Sequence, residues 1–410
     1  MSDTPSVVVV GGGLAAAKAI ETLRAEGFDG AVTLIGDEAE RPYERPALSK
    51  DYLQGKSESD DLFVHPESWY VDHAIDVRFG EAAVSIDRDR RTVALLSGAE
   101  VAYDQLLIAT GSRPVMLQIP GAELAGVFTL RRISDSDQIR AAFTDARTMV
   151  VVGGGWIGLE TAAAAREAGL AVTVLESAQL PLQRALGDEL AGYFAELHRR
   201  HGVDLRTSVS VSEFVGAGGR VSGVRVGDDV IAADLVIVGI GITPNVELAA
   251  GAGLDVDNGI AVDERLRTAD PAVFAAGDVA NARNTALGTS LRVEHWDNAV
   301  RQGRLAAESM LGRDVAYDWQ PYFYTDQYDL GMEYVGRGGA SDDVLIRGDK
   351  RSGEFIAFWL DGDSVTAGMN VNVWDVNDDI RALIGTTVDR DKLVDVGIAL
   401  SDLHGDSPME

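Results

Sequence analysis

Ser6-Val7-Val8-Val9-Val10-Gly11-Gly12-Gly13-Leu14-Ala15-Ala16 is a β-branched apolar run that enters a glycine turn, and Thr148-Met149-Val150-Val151-Val152-Gly153-Gly154-Gly155-Trp156-Ile157-Gly158 repeats it. The apolar runs have the composition of strands buried on both faces of a parallel sheet. Leu14 to Glu26 and Trp156 to Ala168 follow, rich in helix-favouring Ala, Leu and Glu. Strands return at Ala31 to Ile35 and Val172 to Leu175, and an acid closes each, Asp37 and Glu176. These are two strand–helix–strand units of the size expected for a parallel crossover.

The glycine spacing has a physical reading. In Gly11-x-Gly13-x-x-Ala16 and Gly153-x-Gly155-x-x-Gly158 the first glycine makes the tight turn. The second lets backbone approach a pyrophosphate, and the third small residue lets helix pack on strand. The helix N-terminus then offers unpaired N–H groups and its positive dipole end to the phosphates. Asp37 and Glu176 lie about twenty residues on, where a carboxylate accepts from ribose hydroxyls. One such pattern alone is weak, but each here follows a strand and opens a helix. Turns that serve only helix packing are the weaker reading in that context.

Two boxes imply two dinucleotides, and a chain that holds two commonly passes a hydride between a flavin and a nicotinamide. Glu176 is followed by Ser177-Ala178-Gln179, with no basic residue before Arg184. A carboxylate repels a 2′-phosphate and no arginine adjoins it, so the second box favours NADH over NADPH.

Composition narrows the chemistry. The 410 residues carry 36 Lys plus Arg against 65 Asp plus Glu, a net charge of −29. That field repels a phosphate backbone, so nucleic acid is not an expected partner. There is no cysteine. This excludes disulfides, a thiolate zinc site, a cysteine-bound iron–sulfur cluster and every thiol mechanism. No apolar run approaches the length of a membrane helix. The N-terminus imitates a signal peptide, but it carries Asp3, no early Lys or Arg, and three glycines that interrupt the run. It reads as a buried strand, and the protein as cytoplasmic.

Further strands are expected at Leu106 to Ala109, Leu235 to Val238 and Val273 to Ala276, with a helix starting near Asp297. After about residue 320 the pattern changes to alternating aromatic and polar segments such as Phe355 to Trp359 and Val365 to Val373, which read as antiparallel strands. A helical tail is expected over 377–403. The fold class is α/β, with two Rossmann-like dinucleotide-binding domains and a C-terminal α+β domain. The expected division is 1–112 with 240–320, 113–239, and 321–410.

The order of Gly11-x-Gly13-x-x-Ala16, Ala109-Thr110-Gly111, the second box and Thr268-x6-Ala275-x-Gly277-Asp278 resembles the two-dinucleotide FAD/NAD(P) pyridine-nucleotide oxidoreductases. Arg45-Pro-x-Leu-Ser-Lys50, Val293-Glu-His-Trp-Asp-Asn-Ala299 and Phe323-Tyr-Thr-Asp-Gln-Tyr328 resemble, more narrowly, NADH-dependent ferredoxin reductases of the putidaredoxin reductase type. These serve cytochrome P450 and ring-hydroxylating dioxygenase systems. The resemblance implies non-covalent FAD on the first box, at Gly11, Gly13, Leu14, Ala15, Ala16 and Asp37. It adds Arg45, Ala109, Thr110 and Gly111 to that site. Asp278, at a helix N-terminus beside Val279, would bond the ribityl chain. Glu294, His295, Trp296 and Tyr324 would line the flavin. It implies NADH at Gly153, Gly155, Trp156, Ile157, Gly158, Glu176 and Arg184, with Gly239, Ile240 and Gly241 closing the site. Lys50 would reach flavin N5 and pair with Glu160, which would touch the nicotinamide amide. Lys50, Glu160 and Trp296 are thus the candidate catalytic residues. The alternatives are a solvated loop charge for Lys50, a helix-favouring residue for Glu160, and a core side chain for Trp296. Where the family often has a second Trp in the aromatic-Asp-Gln segment, this chain has Tyr324.

The missing thiols bear on the acceptor. Dithiol reductases of the superfamily need cysteines, so here electrons leave to an external carrier. A [2Fe–2S] ferredoxin is the expected partner, because a flavin can accept a hydride and release electrons singly. Reduction of rubredoxin or a quinone-type molecule, or a redox-sensing role like that of the apoptosis-inducing-factor branch, are the alternatives. Ferredoxins are usually acidic, so docking asks for a local basic patch or an apolar face. Arg301, Arg304, Arg347, Lys350 and Arg351 are candidates for the patch. A monomer or weak homodimer is expected. His65, His73, His198, His201, His295 and His404 show no metal-ligand spacing, and His198 and His201 read as a solvated helix end.

Overall fold

A computed structural model of the chain describes residues 5–339 and 341–403, so His404 lies outside the described residues. The chain gathers into two compact units. One holds the chain up to Arg45 with Ser59–Arg113 and Ile242–Pro321. The other holds Pro46–Glu58, Pro114–Gly241 and the chain from Tyr322 onward.

The first unit is built on a five-stranded parallel sheet in the order Val273–Ala275, Gln105–Ile108, Val7–Val10, Val32–Gly36, Ile75–Phe79. All four valines of Val7–Val10 are buried, because a central parallel strand is covered on both faces. Each contributes on the order of 1.5–3 kcal/mol by leaving water. The Leu14–Ala25 helix turns Ala16, Ala19, Ile20 and Leu23 into the same core. The Trp296–Met310 helix packs on it. A Cβ on Gly303 would lie 2.4 Å from the Ala15 carbonyl oxygen, so only glycine permits that approach.

The second unit repeats the parallel sheet, in the order Asp204–Arg206, Ala171–Leu175, Thr148–Val152, Leu235–Val238, Val127–Phe128. Its C-terminal part is a five-stranded antiparallel sheet ordered Tyr322–Gln327, Leu330–Gly336, Ser364–Val371, Glu354–Asp361, Asp343–Asp349. Leu190 and Phe194 of the Gln183–Arg200 helix share one apolar cluster with Phe355, Trp359 and Met369 of that sheet. The Asn377–Leu383 helix covers another cluster, through Ile380 and Leu383. The fold is thus the α/β class expected, with two Rossmann-like sheets and a C-terminal α+β part.

Two expectations change. The tail is not one helix: Asn377–Leu383, Arg390–Val394 and a 3-10 turn at Leu400–Leu403 are separate. Ile384 is extended, Gly385 takes φ +84°, and β-branched Thr387 bridges to Ser364. A left-handed glycine ends the helix, and Thr387 pairs with the first residue of the sheet's central strand. Nor does Asp278 stand at the start of an α-helix. Gly277–Val279 is a single 3-10 turn that runs directly into the Ala280–Asn284 strand. Among the described residues no helix is long and apolar enough to cross a membrane.

Candidate functional site

Each parallel sheet presents a glycine cradle at the end of its central strand. In the first unit Gly11 takes φ +120°, and a Cβ there would sit 2.1 Å from the Ala109 carbonyl oxygen. A Cβ on Gly13 would meet nothing within 4 Å. Gly13 caps the Leu14–Ala25 helix without a side-chain hydrogen bond. The first turn therefore faces open space with its N–H groups uncapped, which is the geometry that receives a pyrophosphate. Thr110 and Asn245 brace the neighbouring turn: the Thr110 hydroxyl donates to the Asn245 carbonyl and the Asn245 amide returns a bond to the Thr110 carbonyl, both at 2.8 Å.

Asp37 is exposed. The residue after it, Glu38, accepts from the Tyr43 hydroxyl at 2.5 Å and from Arg45 at 2.6 Å. Burial pulls the Arg45 guanidinium down, but the charges of Tyr43, Glu38 and Asp278 outweigh it and hold Arg45 above its ordinary value. Asp278 thus lies within the field of Arg45. The Asp278 carbonyl accepts from Arg292, which pairs with Glu294, and the Gly277 N–H donates to buried Gln302 at 2.9 Å. Val279 is fully buried. His295 is the N-cap of the Trp296–Met310 helix, and Trp296, its first residue, is half-buried.

In the second unit Gly153 takes φ +105° and a Cβ would lie 2.3 Å from the Gly239 carbonyl oxygen. Gly158 has the Gly153 carbonyl oxygen 2.2 Å from its Cβ position, whereas the Gly155 position opens outward, with its nearest neighbour at 3.8 Å. Gly155 also caps its helix without a side chain. Glu176 accepts from the Gly154 N–H at 2.6 Å and the Ala178 N–H at 2.7 Å, which fixes its carboxylate at the strand end. The Trp156 ring packs inward between Phe194 and Phe323, at 5.6 and 5.0 Å. Ile157, Ile240 and Arg184 are exposed, and the Gly241 carbonyl accepts from the Val115 N–H at 2.9 Å.

Lys50 and Glu160 meet inside the second unit. Lys50 Nζ lies 2.8 Å from Glu160 Oε1, with side chains 13% and 3% exposed. Glu160 also accepts from the Ser49 hydroxyl, and from the Thr325 hydroxyl at 2.6 Å. Lys50 lies 5.5 Å from the centre of the Tyr324 ring. A buried carboxylate is tolerable only when paired and hydrogen-bonded, and this one has three donors. Burial raises the nearby Asp326 carboxyl above its usual range; Lys50 draws it down, and Glu160, Asp51 and Glu333 push it up again.

Residues 5–303 match the pyridine nucleotide-disulphide oxidoreductase family, and residues 322–404 match the reductase C-terminal family. The chain belongs to the pyridine nucleotide-disulphide oxidoreductase family. It is 41% identical to rhodocoxin reductase of Rhodococcus erythropolis, over 90% of this chain and 86% of that one. It is 40% identical to the ferredoxin–NAD(+) reductase component of the anthranilate 1,2-dioxygenase system of Burkholderia cepacia, over 96% and 98%. Its fold superposes on the covalent putidaredoxin reductase–putidaredoxin complex with a TM-score of 0.94 at 35% identity, covering 98% of each chain. Despite the family's name, this member has no thiol with which to reduce a disulphide.

Two readings of basic residues are corrected. His198 is fully buried, not solvated: Nε2 lies 2.8 Å from Gln327 Oε1 and Nδ1 lies 3.2 Å from the Tyr328 hydroxyl. Arg347 is no surface patch residue, since its buried guanidinium donates to the carbonyls of Leu393, Asp395 and Ile398. Arg301 is paired with Asp297 and Lys350 with Glu189, whereas Arg304 and Arg351 are exposed. Sequence reasoning also passed over Glu38, Ser49, Thr325 and Gln327. For the last two a signal existed: Thr325 and Gln327 share one face of a strand by its period of two, and both are buried.

Proposed function

We propose that this chain is a cytoplasmic FAD-dependent NADH:ferredoxin reductase. It delivers electrons to a [2Fe–2S] ferredoxin that supplies a cytochrome P450 or a ring-hydroxylating dioxygenase. The observation that carries the reading is the pair of uncapped glycine cradles in a chain without cysteine. The residues fit FAD in the first cradle and NADH in the second. Bound FAD supplies a ring that takes a hydride from NADH and gives electrons singly to a one-electron carrier.

The chain's own part is to bind, orient and hold charge. The turns at Gly11 and Gly153 and the helix starts at Gly13 and Gly155 receive the two pyrophosphates. Glu176 takes the NADH ribose and disfavours a 2′-phosphate. Arg45, Asp278 and Trp296 belong to the flavin side, and Lys50 with Glu160 to the hydride step. There the Lys50 ammonium would supply positive charge beside the ring, and Glu160 holds that ammonium in place. The functional division that goes with this is 1–112 with 240–320 for FAD, 113–239 for NADH, and 321–410 as the C-terminal domain.

The test is cytochrome c reduction by NADH, with and without a [2Fe–2S] ferredoxin, on protein whose flavin has been identified. Ferredoxin-dependent turnover is expected with NADH and much less with NADPH. Protein that holds FAD, is reduced by NADH and passes nothing to any ferredoxin would overturn the reading.

A further inference from the structure

The Lys50–Glu160 pair is the end of a longer buried array. Glu160 Oε1 accepts from the Thr325 hydroxyl at 2.6 Å, and Thr325 Oγ1 accepts from the Gln327 amide at 3.2 Å. Gln327 Oε1 lies 2.8 Å from His198 Nε2, and His198 Nδ1 lies 3.2 Å from the Tyr328 hydroxyl. Thr325 and His198 are fully buried and Gln327 is 1% exposed. Groups buried this far from bulk solvent need partners inside the protein, and the array supplies one for each.

Satisfaction allows one arrangement. Threonine has a single hydroxyl proton, and Glu160 takes it. Thr325 Oγ1 must then accept, so Gln327 turns its NH2 toward it and its carbonyl oxygen toward His198. His198 must present N–H at Nε2, which leaves Nδ1 to accept from Tyr328. Donation therefore runs one way, from Tyr328 through His198, Gln327 and Thr325 to the carboxylate. His198 is neutral in this arrangement, and burial, opposed by Gln327 and helped by His201, lowers its pKa to about 4. His201 stacks on the Tyr328 ring at 3.7 Å and closes the outer end.

We propose that Thr325, Gln327 and His198 are positioning residues for the Lys50–Glu160 pair, acting through a one-way hydrogen-bond chain that fixes the Glu160 carboxylate oxygen facing Lys50. The proposal rests on the reading of that pair as part of the hydride-transfer site. A mobile carboxylate would let the Lys50 ammonium wander, and misplacement of about 1 Å costs on the order of 100-fold in rate. The array also ties the C-terminal sheet, through its Tyr322–Gln327 strand, to a helix of the parallel-sheet domain by polar links that specify one register.

The test uses the FAD-loaded enzyme and two readouts. In stopped-flow reduction by NADH, Thr325→Val should lower the limiting rate about tenfold with the NADH dissociation constant within about threefold of wild type, and Thr325→Ser should restore it. His198→Leu, at the far end, should act in the same direction by about threefold and His198→Gln, which keeps a donor to Gln327, by less. In histidine-selective NMR, His198 should be the Nε2–H tautomer with a slowly exchanging ring proton, and Thr325→Val should shift that proton from two links away. An Nδ1–H tautomer, or limiting rates in Thr325→Val and His198→Leu equal to wild type, overturns the positioning role. Wild-type enzyme whose flavin NADH does not reduce would instead overturn the functional reading on which the proposal stands.

Discussion

Lys50 and Glu160 show what burial does to a charged pair. Removing one partner of such a pair leaves the other charge uncompensated. If Lys50 serves the hydride step as proposed, Lys50→Met should slow flavin reduction by NADH by on the order of 100-fold while FAD stays bound, the usual worth of an electrostatic donor at a reacting centre. Rapid-mixing absorbance and flavin stoichiometry check both halves. Glu176 accepts from two backbone N–H groups, and in the proposed reading it sets the sign of the ribose pocket. Glu176→Arg should weaken NADH by about tenfold and strengthen NADPH, as judged by kcat/KM for each coenzyme; an unchanged preference would remove the second cradle as the nicotinamide site. His198 adds a pH effect. Its pKa is near 4 folded against an ordinary 6.5, so the unfolded chain binds the proton first. Its contribution is complete above pH 6.5 and is lost as pH falls toward 4, by on the order of 3 kcal/mol. Urea midpoints measured across that window should fall more steeply for wild type than for His198→Gln.

At the scale of elements, the molecule depends on close approaches that small residues allow. The two cradles use the same device: a left-handed glycine slips under a carbonyl of the neighbouring strand connection, and the next helix begins without a side-chain cap. Between helices, Gly303 lets Trp296–Met310 settle on Leu14–Ala25, whose N-terminus borders the first cradle. Gly303→Ala should cost about 1–3 kcal/mol by overpacking against the Ala15 carbonyl. The thermal midpoint should drop, and FAD should be released at lower temperature than from wild type. The parallel units and the antiparallel strands were legible from periodicity because each is a local pattern. The tail was not: 377–403 has helical composition, and pairing of Thr387 with Ser364 overrides that weak propensity.

For the molecule as a whole, a net charge of −29 sets how it meets a partner. Of the cations expected to form a basic patch, Arg347 is buried, and Arg301 and Lys350 are already paired with acids. An acidic ferredoxin is therefore repelled at long range. Salt shortens the screening length from about 30 Å at 0.01 M to about 8 Å at 0.15 M. The second-order rate of ferredoxin reduction should rise over that range in stopped-flow measurements, whereas docking on a dominant basic patch would make it fall.

The sequence by itself determined the two strand–glycine–helix cradles and the absence of thiol chemistry. Each depends on residues adjacent along the chain, or on composition alone: a glycine's sterics, a strand's period and a missing atom type are short-range facts. The tertiary structure decided that Ser49, Lys50 and Thr325 meet at one carboxylate, that Glu38 anchors Arg45, and that His198 is buried against Gln327 and Tyr328. Those outcomes turn on which distant polar groups packing removes from water together. A buried donor or acceptor must find its partner wherever the fold has placed one, and no local spacing encodes that choice.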